Sequence, residues 1–114
     1  MSLQKNIIEN SKNFIDNNNL DDLNNYYIWL SNKKMEYNIN IEFIFKDVYL
    51  YAVIKQNKEI IIWLINVYNN FDDIIKIALK HIITYGKYLL MTKKNTDDFI
   101  IWYENTILSK SFIY

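Results

Sequence analysis

The sequence predicts an α+β fold for this chain of 114 residues, and two patterns carry the prediction. In the middle of the chain, residues 38–43 alternate between polar and apolar side chains, as a half-buried β-strand does. On both sides of this region, an asparagine stands two positions before a pair of aspartates, which is typical of a helix start. The length and a hydrophobic content of 51% are sufficient for one domain, residues 1–114, with a buried core.

Four helices are predicted from these starts and from apolar residues at helical spacing. Two lie before the middle region, over residues 3–16 and 20–34, and two lie after it, over residues 71–85 and 96–108. Gly86, the only glycine, is expected to end the third of these helices in a left-handed conformation. The asparagines expected to cap the last three helices are Asn19, Asn70 and Asn95.

The middle region is predicted to form a three-stranded antiparallel meander over residues 38–45, 48–56 and 59–68. Pairing the strands outward from two polar turns brings twelve apolar residues onto one face. A helix over residues 60–65 would be apolar on every side, which suits only a very large core, whereas a strand covered on both faces accepts such a run. The twelve residues are Ile39, Ile41, Phe43, Phe45, Val48, Leu50, Ala52, Ile54, Ile61, Trp63, Ile65 and Val67.

Two shorter strands complete the predicted order, over residues 88–91 and 111–114. The order is then two helices, three strands, a helix, a strand, a helix and a closing strand. Several segments also resemble the residues that a known family has at the same places in its order of helices and strands. These segments are residues 65–68, 74–86 and 89–91, Asn95, and residues 101–104.

This order resembles the N-acetyltransferase (GNAT) superfamily without its first strand, and the likeness extends over residues 38–110. The resemblance implies that Tyr103 acts as a general acid toward a departing thiolate. It also implies that Val67, Asn69 and Asn70 contact the cofactor acetyl-CoA.

The loop that would hold this cofactor departs from the family pattern. The family binds the pyrophosphate of acetyl-CoA on a glycine-containing loop that opens the central helix, where backbone N–H groups meet the anion. Here the loop shrinks to Asn69 and Asn70, and Asp72 and Asp73 at the helix mouth would repel a pyrophosphate. We therefore expect no cofactor and a non-catalytic protein that acts by protein–protein binding. The alternative is an acetyl-CoA-dependent N-acyltransferase with an atypical cofactor site.

A second likeness favours an all-α fold made of helix pairs. Residues 52–64 resemble the helix-loop-helix stretch of degenerate ankyrin repeats in giant DNA viruses, and Trp29 and Trp63 are 34 positions apart. Gln56 stands where the repeat has glycine, and the next tryptophan, Trp102, follows after 39 positions. The resemblance implies an ankyrin-like interaction module.

Composition excludes several classes of function. With no cysteine and one histidine, the sequence predicts neither a disulfide nor a metal site. Thirteen lysines and no arginine are balanced by 13 acidic residues, so the charge that attracts nucleic acid is lacking, although lysine clustering in the fold would restore it. No apolar run could cross a membrane, and we expect an intracellular, cytoplasmic protein. Heavy use of Ile, Asn, Lys and Tyr is typical of an AT-rich genome and indicates a virus, a mobile element or an AT-rich microbe as the source. A viral protein would lie in the host cell or in the virion.

Three sets of residues have structural as well as functional interpretations. Tyr103 is one of ten tyrosines and would also serve as a packing residue. His81 is expected on an exposed helix face. An exposed Trp29, or an exposed Tyr26–Tyr27 pair, would indicate an interface with a protein partner or with another copy of the chain.

Overall fold

The computed structural model describes residues 3–109, and within that range the protein is all-α. Three to five residues separate the two helices of each successive pair, and such short connections make the paired helices antiparallel. The six helices are α1 (Leu3–Asp16), α2 (Leu20–Lys33), α3 (Ile41–Ile54), α4 (Lys58–Asn69), α5 (Asp73–Met91) and α6 (Asp97–Tyr103), and α6 continues into a π-helical segment, Glu104–Leu108.

The helices form three hairpins, α1–α2, α3–α4 and α5–α6. Each hairpin loop contains one non-glycine residue with a positive φ, at Asn18 (51°), Gln56 (55°) and Asn95 (60°), which are 38 and 39 positions apart. The first helices of the hairpins pack side by side in the order α1, α3, α5, and each second helix packs on its own partner. Hairpins that stack on their neighbours at a regular spacing are typical of helical-repeat proteins.

The α+β prediction is wrong, because the residues assigned to the meander form α3 and α4. In α3 the buried residues come as adjacent pairs every four positions, which is a helical period. The alternation of residues 38–43 crosses the helix start, since Ile39 and Asn40 precede α3 and Phe43 is exposed. The buried residues of α3 are Ile44, Phe45, Val48, Tyr49, Ala52 and Val53.

The apolar run at residues 60–65 is also helical, and α4 accommodates it with a wide buried face. Ile62 is turned outward and 42% exposed, so the helix is not buried on every side. The helix begins at a cap, where the Asn57 side chain accepts a hydrogen bond from the backbone N–H of Ile60 at 3.1 Å. The residues of α4 that face the core are Ile60, Ile61, Leu64, Ile65, Val67 and Tyr68.

The predicted helix starts are partly confirmed. Asn19 caps α2 by accepting from the N–H of Asp22, as expected. The cap of α5 is Asp72 and not Asn70, and α6 starts after Thr96 while Asn95 takes the left-handed loop conformation.

The end of α5 differs from the prediction as well. Gly86 lies inside α5 without a positive φ, and the helix continues to Met91, so residues 88–91 are its last turn and not a strand. The strand predicted over residues 111–114 lies outside the described residues.

The resemblance to the N-acetyltransferase superfamily is therefore overturned, since that fold requires a β-sheet and residues 3–109 contain none. The ankyrin-like alternative agrees with an all-α chain, but the tryptophans at equivalent places are not the pair that the sequence suggests. Trp63 and Trp102 each stand seven positions after the positive-φ residue of their hairpin, whereas Trp29 stands eleven positions after Asn18. The equivalent tryptophans are thus Trp63 and Trp102, 39 positions apart.

Candidate functional site

An apolar groove lies between α2 and α4, with α3 as its floor. It encloses an apolar cavity of about 50 Å³, which is larger than a single water molecule needs. Residues of α3 at the edge of the core form the floor of the groove, and the walls on α2 and α4 carry aromatic rings. Its lining consists of Ser11, Leu23, Tyr26, Tyr27, Leu30, Ile41, Ile44, Phe45, Val48, Trp63, Leu64, Val67 and Phe71.

Trp63 fixes one wall of the groove. Its indole Nε1 donates a hydrogen bond to Oδ1 of Asn24 at 3.1 Å, and its ring meets Tyr27 edge-on at a centroid distance of 5.8 Å. Both partners lie on α2, so Trp63 sets the distance between α2 and α4. These two contacts join the two walls of the groove.

An aromatic cluster extends from the groove onto the surface of α2. Tyr26 lies parallel to Trp29 at a centroid distance of 6.1 Å, and Trp29 is 6.2 Å from Tyr37. On its other side, Tyr26 contacts Phe14 of α1 edge-on and accepts a hydrogen bond from Nδ2 of Asn10. Trp29 is 45% exposed, which is the condition under which the sequence indicates a protein interface.

A polar depression lies at the first turns of α2 and α4, one turn before the groove residues Leu23 and Trp63. Its acidic residues are Asp21 and Glu59, and the remaining lining comes from Leu20 and from the loop between α1 and α2. Glu59 lies one turn before Trp63 on α4, so the negative charge borders the aromatic wall. The site thus combines an apolar groove, an exposed tryptophan and an acidic end.

Tyr103 lies elsewhere, in the contact between α3, α5 and α6. Its hydroxyl donates to the backbone oxygen of Ile83 at 2.6 Å, so the 2.5 Å contact with Tyr49 Oη is a bond that Tyr49 donates. Burial raises the pKa of both tyrosines, and the bond from Tyr49 offsets part of the increase for Tyr103. The Tyr103 hydroxyl therefore donates to one structural partner and accepts from another. A general-acid role remains a prediction, and the fold no longer motivates it.

The residues predicted to contact acetyl-CoA are not gathered around Tyr103. Val67 is buried in the wall of the groove. Asn69 is exposed at the end of α4, and the Nδ2 atom of Asn70 donates to the backbone oxygen of Asn66 at 3.0 Å. Asn69 and Asn70 therefore lie at the C-terminal end of α4 and do not line the apolar groove.

Other functional predictions concern metals and membranes. His81 is exposed on α5, and the described residues contain no group of three His, Cys, Asp or Glu side chains placed to hold a metal ion. Among helices in residues 3–109, none combines the length and apolarity that a bilayer crossing requires.

Sequence reasoning missed the groove because its walls come from distant segments. Trp63 was assigned to a strand, and its contact with Asn24 spans 39 positions. The signal that could have shown one wall is the apolar spacing of Leu23, Tyr26, Tyr27 and Leu30 on α2. The chain matches no protein-family model, no curated protein and no solved structure.

Proposed function

We propose that this protein is a small helical-repeat module that acts by binding another protein in the groove between α2 and α4. The observation that carries the proposal is the exposed Trp29 beside an apolar, aromatic-walled groove. Tryptophan and tyrosine next to an apolar pocket are the residues that contribute most to protein interfaces. The acyltransferase alternative depended on a sheet and is not retained.

The partner is an amphipathic helix with one protruding apolar side chain. A groove between two helices accepts a third helix, and the small apolar cavity suits an aliphatic side chain of that helix. The acidic end formed by Asp21 and Glu59 favours a lysine or arginine one or two turns from that side chain. The expected ligand therefore has an apolar anchor and a basic flank.

Selection from a displayed library of helical peptides tests the proposal. Peptides selected on the wild-type protein should share an aliphatic anchor and a basic residue, and their affinity should fall at least about tenfold for the Trp29→Ala variant. Ile101→Ala is the matched control, because Ile101 is also an exposed apolar residue but lies on α6. That control should bind the peptides like the wild type.

The variants must also keep their fold, which circular dichroism and thermal unfolding measure. Because Trp29 is nearly half exposed, its removal should leave the helical content unchanged. Selected peptides that bind Trp29→Ala as tightly as the wild type would show that the groove is not the binding site. A selection that yields no binder would contradict the proposal as well.

A further inference from the structure

The side of α5 that faces away from the core carries a stripe of exposed side chains that is apolar toward its two ends and polar in the middle. Ile74 and Ile77 are 80% and 76% exposed, and Tyr88 and Met91 are also exposed. These residues are joined along the helix by the exposed side chains of His81 and Thr84, and the spacing of three and four positions puts all of them on one face. Four large apolar side chains exposed on one helix face indicate a surface that another molecule covers.

The stripe lies at one end of the row of helices, and the other end is different. Because α3 packs against both α1 and α5, the outer sides of α1 and α5 are the two ends of the row. On α1 the exposed residues are polar with the exception of Leu3, as in the capping helix of a repeat array. They are Lys5, Asn6, Glu9, Asn10, Asn13 and Asp16.

We propose that a second copy of this chain covers the stripe, with the two α5 helices packed antiparallel around a two-fold axis. Head-to-tail stacking would place the apolar stripe on the polar face of α1, which does not complement it. A two-fold arrangement instead places the stripe of one copy on the stripe of the other. It buries apolar side chains against apolar side chains toward both ends of α5.

The stripe is symmetric enough to pair with itself. When the axis passes level with the midpoint between Ile82 and Ile83, Ile77 lies opposite Tyr88 of the second copy. The same register sets Ile74 opposite Met91 and His81 opposite Thr84, so each apolar position meets an apolar one and each polar position a polar one.

The helix dipoles support the antiparallel direction, because the start of α5 in each copy then lies beside the end of α5 in the other. A parallel pair would instead place like helix ends together.

The inference is independent of the groove, because no residue of α5 lines it. Sedimentation equilibrium of the full chain, over low to high micromolar concentrations, measures the self-association directly. The expected species is a dimer of twice 13.9 kDa. The variants Ile77→Glu and Tyr88→Lys should each raise the dissociation constant at least about tenfold, because a charge then lies in the apolar stripe.

The double variant Ile77→Glu with Tyr88→Lys tests the register. The two positions are three turns apart on one helix, so their new charges meet only across the two-fold axis. The double variant should therefore dimerise more tightly than either single variant. Glu9→Lys on α1 is the control and should dimerise like the wild type, since its side chain is exposed at the other end of the row.

Three results would overturn the inference. A wild-type protein that stays monomeric would assign the stripe to another occupant, such as the C-terminal residues of the chain or a different protein. Dimers that persist in both single variants would place the interface on another face. A double variant as weak as the single variants would exclude the antiparallel register. Circular dichroism of each variant establishes that it is folded.

Discussion

A methyl group on Gly86 would lie 2.5 Å from the hydroxyl oxygen of Tyr103. Gly86 is in the interior of α5, where it lowers helix stability by about 1 kcal/mol relative to alanine. The glycine is present because the tyrosine ring approaches the helix backbone directly, and the hydroxyl then reaches the backbone oxygen of Ile83. The only glycine of the chain therefore serves a close contact between two helices.

The variant Gly86→Ala should lower the free energy of unfolding by about 1–3 kcal/mol, since the added methyl displaces the tyrosine and outweighs the gain in helix propensity. In the Tyr103→Phe background the same substitution should cost less, because the atom nearest the methyl group is gone. Urea unfolding of all four proteins of this cycle measures the difference. Thr84→Ala, exposed on the same helix, is the control and should be neutral or slightly stabilising. A stabilising Gly86→Ala would contradict the close contact.

The buried tyrosine pair predicts instability at alkaline pH. Burial raises the pKa of Tyr49 and Tyr103, while in the unfolded chain both ionise near the ordinary value of about 10. The stability that the two neutral tyrosines contribute is therefore complete below about pH 10. Above that pH the free energy of unfolding falls by at most about 1.4 kcal/mol per pH unit for each tyrosine. Urea unfolding from about pH 8 to about pH 11 should show this decrease. Tyr49→Phe should unfold with a shallower pH dependence, and equal slopes for the two proteins would refute the prediction.

The loop of the second hairpin holds a glutamine in a conformation that suits glycine. Gln56 has a φ of 55°, and a side chain in this region costs about 1 kcal/mol. Gln56→Gly should therefore raise the free energy of unfolding by a few tenths to about 1 kcal/mol, after allowance for the greater freedom of the unfolded chain. Its neighbour Lys55 has a φ of −76°, so Lys55→Gly is the matched control and should be destabilising. Thermal unfolding measures whether each variant is more or less stable than the wild type. A Gln56→Gly protein less stable than the wild type would disprove the account.

The hydrogen bond between Trp63 and Asn24 holds α2 and α4 at a fixed distance. Trp63→Phe keeps an aromatic ring but removes the donor, and it should lower the free energy of unfolding by about 0.5–1.5 kcal/mol. The equivalent change in the third hairpin, Trp102→Phe, is the comparison. The Trp102 ring faces Lys58 and Phe99 through its π-surface, so this change should cost less. Chemical denaturation measures both, and an equal cost would indicate that ring size rather than the bond matters.

The sequence predicted the first hairpin well, because its signals are local. The helix over residues 3–16 has the observed bounds, and the second starts at Leu20 after the Asn19 cap. The second hairpin was misassigned although Asn40 and Asn57 are caps of the same kind. Polar residues between apolar runs indicate a chain reversal equally for strands and for helices. Only the packing of α3 between two other helices decides which residues are buried.

The candidate sites were less predictable, since their residues meet across long stretches of chain. Tyr103 was recognised as a packing residue or an acid, but its partner Tyr49 is 54 positions away. The sequence indicates an interface at Trp29 only if that side chain is exposed, and its exposure depends on how α2 packs on α1. Pairwise contacts of this kind leave no periodic trace in a single sequence.

The central position of α3 has a consequence for how the molecule folds and opens. Because α3 packs against both α1 and α5, the two outer hairpins are coupled through it, and each outer hairpin can detach while the other two stay assembled. Amide hydrogens in the middle of α3 should then exchange only through global unfolding, whereas those of α1 and α6 exchange through smaller openings. We therefore expect the chain to unfold from its ends inward, with the hairpin of α3 and α4 as the last cooperative unit to separate.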